Sequence, residues 1–184
     1  MIFNTHIVKD PLDKCIESIF HFKGFQPDHS LERVVPTGHI FILFELDGME
    51  RNTFDNRTLE PTGTFSKVWV SGMHKNYLSI SAHPNSEMFV IQFKPYGAYP
   101  FVHVPLHQIA NRVIPGQELF GDEILELHQQ ILKQQTSEEK FSLAEEWLLG
   151  RFDSDRFPEI ELLTSLHRLL GEPLTNNGLM VCKR

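Results

Sequence analysis

The chain has 184 residues, 41% hydrophobic and 22% charged, enough for one folded domain of about 70% surface burial and too apolar for a disordered one. A formal net charge of −7, with no dense basic run, argues against direct nucleic-acid binding. Two distant cysteines, no leader pattern after Met1 and no long apolar run point away from a disulfide scaffold, export and a membrane span, so a cytoplasmic chain is expected.

Pro11-Leu12 opens a short helical turn, and residues 19–22 read as a first strand. Residues 26–30 form a loop. His39 to Leu46 is nearly continuously apolar between Gly38 and Asp47-Gly48, as a strand buried on both faces requires. Residues 47–63 are polar and read as a long hairpin excursion, with short ribbon strands about Asp55-Asn56. Residues 65–70, 77–82 and 87–93 resume strand character. In the last of these Phe89, Ile91 and Phe93 alternate with Met88, Val90 and Gln92. Pro95 ends ladder pairing. Gly97 is expected to take a positive φ or to press against a neighbouring backbone.

After Pro95 the period changes. Ile124, Leu127 and Ile131 recur at helical spacing. Thr136 and Glu139 make a capping box ahead of Phe141, Ala144, Trp147 and Leu148. A third helix is expected from Pro158, striped by Ile160, Leu163, Leu166 and Leu170 and stopped by Gly171. The pattern predicts an α+β chain: a β-rich half over 1–95, a helical half of the same domain over 96–171, and a tail over 172–184.

The order of several short motifs resembles the sensor domain of a group of AraC-type transcription regulators. They are Glu32-Arg33-Val34-Val35-Pro36-Thr37-Gly38, Val70-Ser71-Gly72, Phe93-Lys94-Pro95-Tyr96-Gly97, Val104-Pro105, Asn111-Arg112-Val113-Ile114-Pro115 and Glu118-Leu119-Phe120-Gly121. The resemblance implies a cupin-like β-barrel-type fold and makes Pro36, Gly38, Gly72, Pro95 and Gly97 its structural turns. It also implies a small-molecule effector, a homodimer and a DNA-binding domain where the tail begins. Tyr96 departs from the small residue expected beside Gly97.

Chemistry is sparsely signalled. A cupin metal site needs His-x-His with a nearby Glu, and the ten histidines contain no such pair; His103 and His107 straddle Pro105. Neither a bound metal nor any other cofactor is expected. Ser71-Gly72 lacks a nucleophile elbow, and Cys15 lies in an apolar stretch, so no catalytic residue is expected. Fifteen Phe remain. They fill a core, or some line a cavity between strands, with Phe22, Phe41, Phe44, Trp69 and Phe93 as candidates. Arg33 and Arg112 either anchor turns through backbone carbonyls or meet a ligand carboxylate. The stripe Leu163, Leu166, Leu170 is the candidate dimer interface. The leading expectation is therefore an effector-sensing, dimerising domain. A stand-alone binding module and a metal-dependent cupin-type enzyme are the alternatives.

Overall fold

The computed structural model describes residues 1–157 together with Leu162 and Ser165. The expected third helix, with Leu163, Leu166 and Leu170, and the tail lie outside the described residues.

Among the described residues ten strands make two antiparallel sheets that form a cupin-like sandwich. The larger sheet runs in the order β1 (Ile2–His6), β2 (Ile16–Phe25), β9 (Ser86–Phe93), β4 (Ile40–Glu45), β7 (Val68–Ser71), β10 (Val113–Pro115). The smaller runs β3 (Leu31–Val34), β8 (Leu78–Ser81), β5 (Arg51–Phe54), β6 (Pro61–Phe65). Three helices follow among the described residues: α1 (Gly116–Phe120), α2 (Glu123–Lys133) and α3 (Ser137–Arg151). The α+β expectation therefore holds.

Four details differ from the sequence reading. The N-terminus adds β1, paired with β2 from Ile2 opposite Lys23 to His6 opposite Ile19. The expected strand over 65–70 is two strands in different sheets, divided at Ser66-Lys67, where Lys67 takes φ 59°. Asp55-Asn56 is the turn of the excursion rather than its ladder. The strand half also reaches Pro115, because β10 pairs with β7 after a stretch of turns, so regular helix begins only at Gly116.

The main core lies between the larger sheet and the helices. Every second residue of the central strands points there: Ile40, Ile42 and Phe44 from β4, and Phe89, Ile91 and Phe93 from β9, all at most 1% exposed. Ile124, Leu127 and Ile131 of α2 and Phe141, Ala144 and Leu148 of α3 cover them. The helical stripes are thus occupied by their own sheet. Lys140 reaches across the α2–α3 turn and donates to the carbonyls of Gln134 (2.7 Å) and Ile131 (2.9 Å), the second of which also accepts the Gln134 N–H at 3.2 Å.

Two glycines of the turn motif hold close approaches. A Cβ on Gly72 would stand 1.8 Å from the Ile109 carbonyl oxygen, and one on Gly97 2.0 Å from that of Cys15. Gly97 thus takes the second expected form, a press against backbone, and the positive φ falls on Tyr96 at 64°.

The capping box of α3 is complete. Thr136 Oγ1 accepts from Glu139 N–H, and the Glu139 carboxylate accepts from Thr136 N–H at 3.0 Å. Hydrogen bonding from Thr136 N–H and hydroxyl holds that carboxylate below its usual range. Thr136→Ala is expected to lower stability by about 1 kcal/mol, read from urea denaturation midpoints, with α3 intact by circular dichroism.

Candidate functional site

The face of the larger sheet opposite the helices looks at the smaller sheet. Period-two alternation places Phe20 and Phe22 of β2, Met88 and Val90 of β9, Phe41 and Leu43 of β4, and Trp69 of β7 on it. Phe65 of β6 approaches from the other sheet, its ring centroid 6.1 Å from that of Trp69. Trp69, Met88 and Val90 are buried, whereas Phe20, Phe22, Phe41, Leu43 and Phe65 are only partly so. β4 is flanked on both sides by paired strands, so Phe41 and Leu43 have no edge to explain their exposure. The two sheets therefore leave this aromatic layer open.

Of the residues nominated from sequence, the structure gathers Phe22, Phe41 and Trp69 on this layer. Phe44 and Phe93 are removed from it. Each sits one residue out of phase with the layer, on the helix-facing side, at 0% and 1% exposure. The nomination rested on apolar strand position, and a strand apolar on both faces does not say which face a residue takes. Arg33 lies on β3 of the smaller sheet, exposed, its guanidinium 4.9 Å from the Tyr77 ring centroid. Arg112 donates to the Gln108 carbonyl at 3.0 Å, which is the turn-anchoring role.

One end of the layer carries a buried charge cluster that sequence reasoning missed. Glu45 closes β4 on the layer side and Arg51 opens β5 opposite Phe65. Glu45 Oε1 accepts from Trp69 Nε1 at 2.8 Å, and Glu45 Oε2 stands 2.9 Å from Arg51 Nη2. That nitrogen also donates to Asp47 at 2.6 Å and to Ser86 Oγ at 3.2 Å. The side chains of Arg51 and Glu45 are 3% and 1% exposed, and Arg51 Nη1 is buried with no acceptor among the described residues. Burial pushes the Glu45 carboxyl up to about 7, against the pull of Arg51 and Trp69. The sequence signal was thin: two opposite charges six positions apart across a Gly turn.

The other end opens. Phe41 pairs with Ser71, and Val113 pairs with Ser71 from the far side, so these residues mark the end of the sandwich away from Glu45. A cleft of about 350 Å³ begins there, bounded by Thr53, Asn56, Phe65, His74, Tyr77 and Val113. Its rim is rigidly bonded. Asn56 donates to the Tyr77 carbonyl at 2.7 Å and accepts from Ser79 Oγ at 2.8 Å, and His74 Nε2 lies 3.2 Å from Ser71 Oγ. Burial lowers the His74 pKa, so its ring is neutral at pH 7. The site is thus an aromatic slot with a polar mouth and a charged floor.

Among the described residues no three His, Cys, Asp or Glu side chains converge as a metal ion requires. Burial pushes the Cys15 thiol up to about 12, which leaves it protonated at neutral pH. No helix among the described residues is long and apolar enough to cross a membrane.

The architecture is that of a cupin-like sandwich of the α+β class. The chain belongs to the family described as a domain of unknown function (DUF6597), whose model matches residues 5–115. That stretch ends where β10 ends, so the family is the sandwich and the helices lie beyond it. No curated protein and no solved structure matches the chain.

Proposed function

We propose that the chain is the effector-sensing and dimerising domain of an AraC-type transcription regulator, acting in the cytoplasm, with the effector held in the open aromatic layer. The observation that carries the reading is the partial exposure of Phe41 and Leu43 in the middle of a paired sheet. The effector that suits the slot is small, flat and largely apolar, with polar groups at the end that meets Asn56, His74 and Tyr77. The motif order Glu32 to Gly38, Phe93 to Gly97 and Asn111 to Pro115 supports the assignment to regulators.

A route from slot to helices runs through Glu45. Its side chain meets Trp69 and Arg51 in the layer, while its carbonyl accepts from His128 Nε2 of α2 at 2.7 Å. An effector that displaces Trp69 or Glu45 in one state and not in another shifts the helical layer by its difference in affinity for the two. The segment beyond α3, with Leu163, Leu166 and Leu170, would then carry the change to a second copy.

Trp147→Phe leaves Trp69 as the reporting indole. Protein purified from cells, weighed intact under native conditions, is expected to carry a small-molecule mass. Adding that compound back to stripped protein should quench Trp69 saturably and, at 100 times its Kd, stabilise the fold by about 2.7 kcal/mol. Leu43→Arg should abolish both effects with the fold intact. Protein that carries no mass and shows no saturable response to flat apolar compounds would refute the effector site. Light scattering tests the dimer. Leu163→Glu with Leu166→Glu should give a folded monomer, and a wild-type monomer at high micromolar concentration refutes the dimer.

A further inference from the structure

A second polar cluster lies on the helix-facing side of the larger sheet, away from the aromatic layer. Ser137, the first residue of α3, lines a cleft of about 570 Å³ together with Asn4 of β1, His21 and Lys23 of β2 and Glu87 of β9. Ser137 Oγ is 2.8 Å from His21 Nδ1. His21 Nε2 is 3.1 Å from Glu87 Oε1, and Lys23 Nζ holds the other Glu87 oxygen at 2.9 Å. Asn4 Nδ2 donates to Ser137 Oγ at 2.9 Å.

The protons in this chain of contacts are determined. The Asn4 amide nitrogen only donates, and the Glu87 carboxylate only accepts. Burial raises the Glu87 pKa, but Lys23 and His21 outweigh it and hold the carboxylate below its usual range. Burial likewise lowers the His21 pKa, so the ring is neutral at pH 7. His21 therefore carries its proton on Nε2 and gives it to Glu87. Nδ1 is left as a lone pair, and the Ser137 hydroxyl must donate to it. That is a nucleophile bonded to a base, and a base oriented by a carboxylate.

The surroundings favour negative charge at the hydroxyl. Thr136 takes the N–H of Glu139, but the first-turn N–H groups of Ser137 and Glu138 have no acceptor within the helix. The Lys140 ammonium also borders the cleft. A tetrahedral oxyanion formed on Ser137 would meet amide donors and a positive field. The cleft has a short apolar wall, made by Ile2, Leu46 and Leu132, and is otherwise polar.

We propose that Ser137 and His21 form an acyl-transfer centre that hydrolyses short-chain acyl esters of polar alcohols. Ser137 Oγ attacks the ester carbonyl carbon while His21 Nδ1 takes the hydroxyl proton. The carbon–oxygen bond to the alcohol breaks, and His21 returns the proton to the departing oxygen. Water, activated by the same nitrogen, then attacks the acyl-serine and releases the carboxylic acid and free Ser137. Glu87 is a positioning residue, acting through His21. The centre is independent of the effector reading, since it lies on the opposite face of the sheet.

The full-length chain is treated with a fluorophosphonate and, separately, with p-nitrophenyl acetate. One adduct per chain, mapping to Ser137, is expected, with ester turnover above the buffer rate. Ser137→Ala should lose both. His21→Gln should slow labelling by about 10²–10⁴-fold. Lys23 and Lys140 also act on His21 and Glu138 lines the same cleft, so removing the Glu87 charge leaves cations dominant around it. Glu87→Gln should thus move the pH midpoint of labelling downward, a change that loosened packing would not produce. Circular dichroism certifies each variant as folded, and the wild-type labelling result stands without any variant. A folded wild-type chain that takes no label, or takes it elsewhere than Ser137, overturns the proposal. So does a Ser137→Ala chain that turns over ester at the wild-type rate. Variants that only lower the melting temperature of an unlabelled protein make the trio a strut and overturn it equally.

Discussion

Above pH 7, where Glu45 is ionised in the folded chain, Arg51→Met is expected to destabilise the fold by about 3–5 kcal/mol, the cost of leaving a buried charge without its partner. The methionine keeps the apolar length of the side chain, so the loss is electrostatic rather than a cavity. It strands Glu45, 1% exposed, with only the Trp69 indole as donor, and it frees Asp47 and Ser86 from the same guanidinium nitrogen. The pair Glu45→Gln with Arg51→Met should recover most of the loss, because the amide has no charge to strand and still accepts from Trp69. Urea denaturation of the two single variants and the double variant measures the coupling. An Arg51→Met chain as stable as the wild type would show that the pair is not held as ions.

The same carboxyl gives a pH dependence of definite sign. The Glu45 pKa is about 7 in the folded chain against 4.5 for the ordinary carboxyl. The folded chain holds a proton there that the unfolded chain gives up. Its contribution to stability is therefore complete below pH 4.5 and is lost as pH rises to 7. Glu45→Gln should flatten this limb of the stability profile, leaving the limbs from other groups in place.

Gly97→Ala is expected to cost about 3 kcal/mol, at the upper end of overpacking penalties. The clash is with backbone, which has no rotamer to move to. The added Cβ would lie 2.0 Å from the Cys15 carbonyl oxygen and 2.9 Å from its carbon. That carbonyl is already fixed by Lys94 N–H at 2.8 Å, and the Lys94 ammonium holds the neighbouring Asp13 carbonyl at 2.6 Å. The turn after β9 is thus locked to the segment before β2. Gly38→Ala is the control. Among the described residues nothing lies within 4 Å of its Cβ, but φ is +77°, so the cost is that of a left-handed residue alone, roughly 1–2 kcal/mol. Thermal melts should show the Gly97 variant well below the Gly38 variant. Equal melting temperatures would remove the backbone contact as the reason for glycine at 97.

Sequence by itself determined the elements whose causes are local. The alternation from Met88 to Phe93 produces β9, and Thr136 with Glu139 starts α3 through bonds that span three residues. The apolar spacing of Ile124, Leu127 and Ile131 makes the buried stripe of α2. Glycine at 97 marked either a positive φ or a close approach before its partner was known. The tertiary structure decided what depends on which face meets which neighbour. β4 is apolar at Phe41 and at Phe44, so no polar residue signals that one faces an open slot and the other a closed core. That choice follows from the helices covering one side of the sheet and a short second sheet covering the other. Pairings between distant residues were equally out of reach. Glu45 with Arg51 and Trp69, and Ser137 with His21 and Glu87, are brought together only by strand register and by the landing of α3 on β2. Side-chain hydrogen bonds add little to local propensity, so no motif announces them. The burial that makes them strong exists only once the sheets have closed.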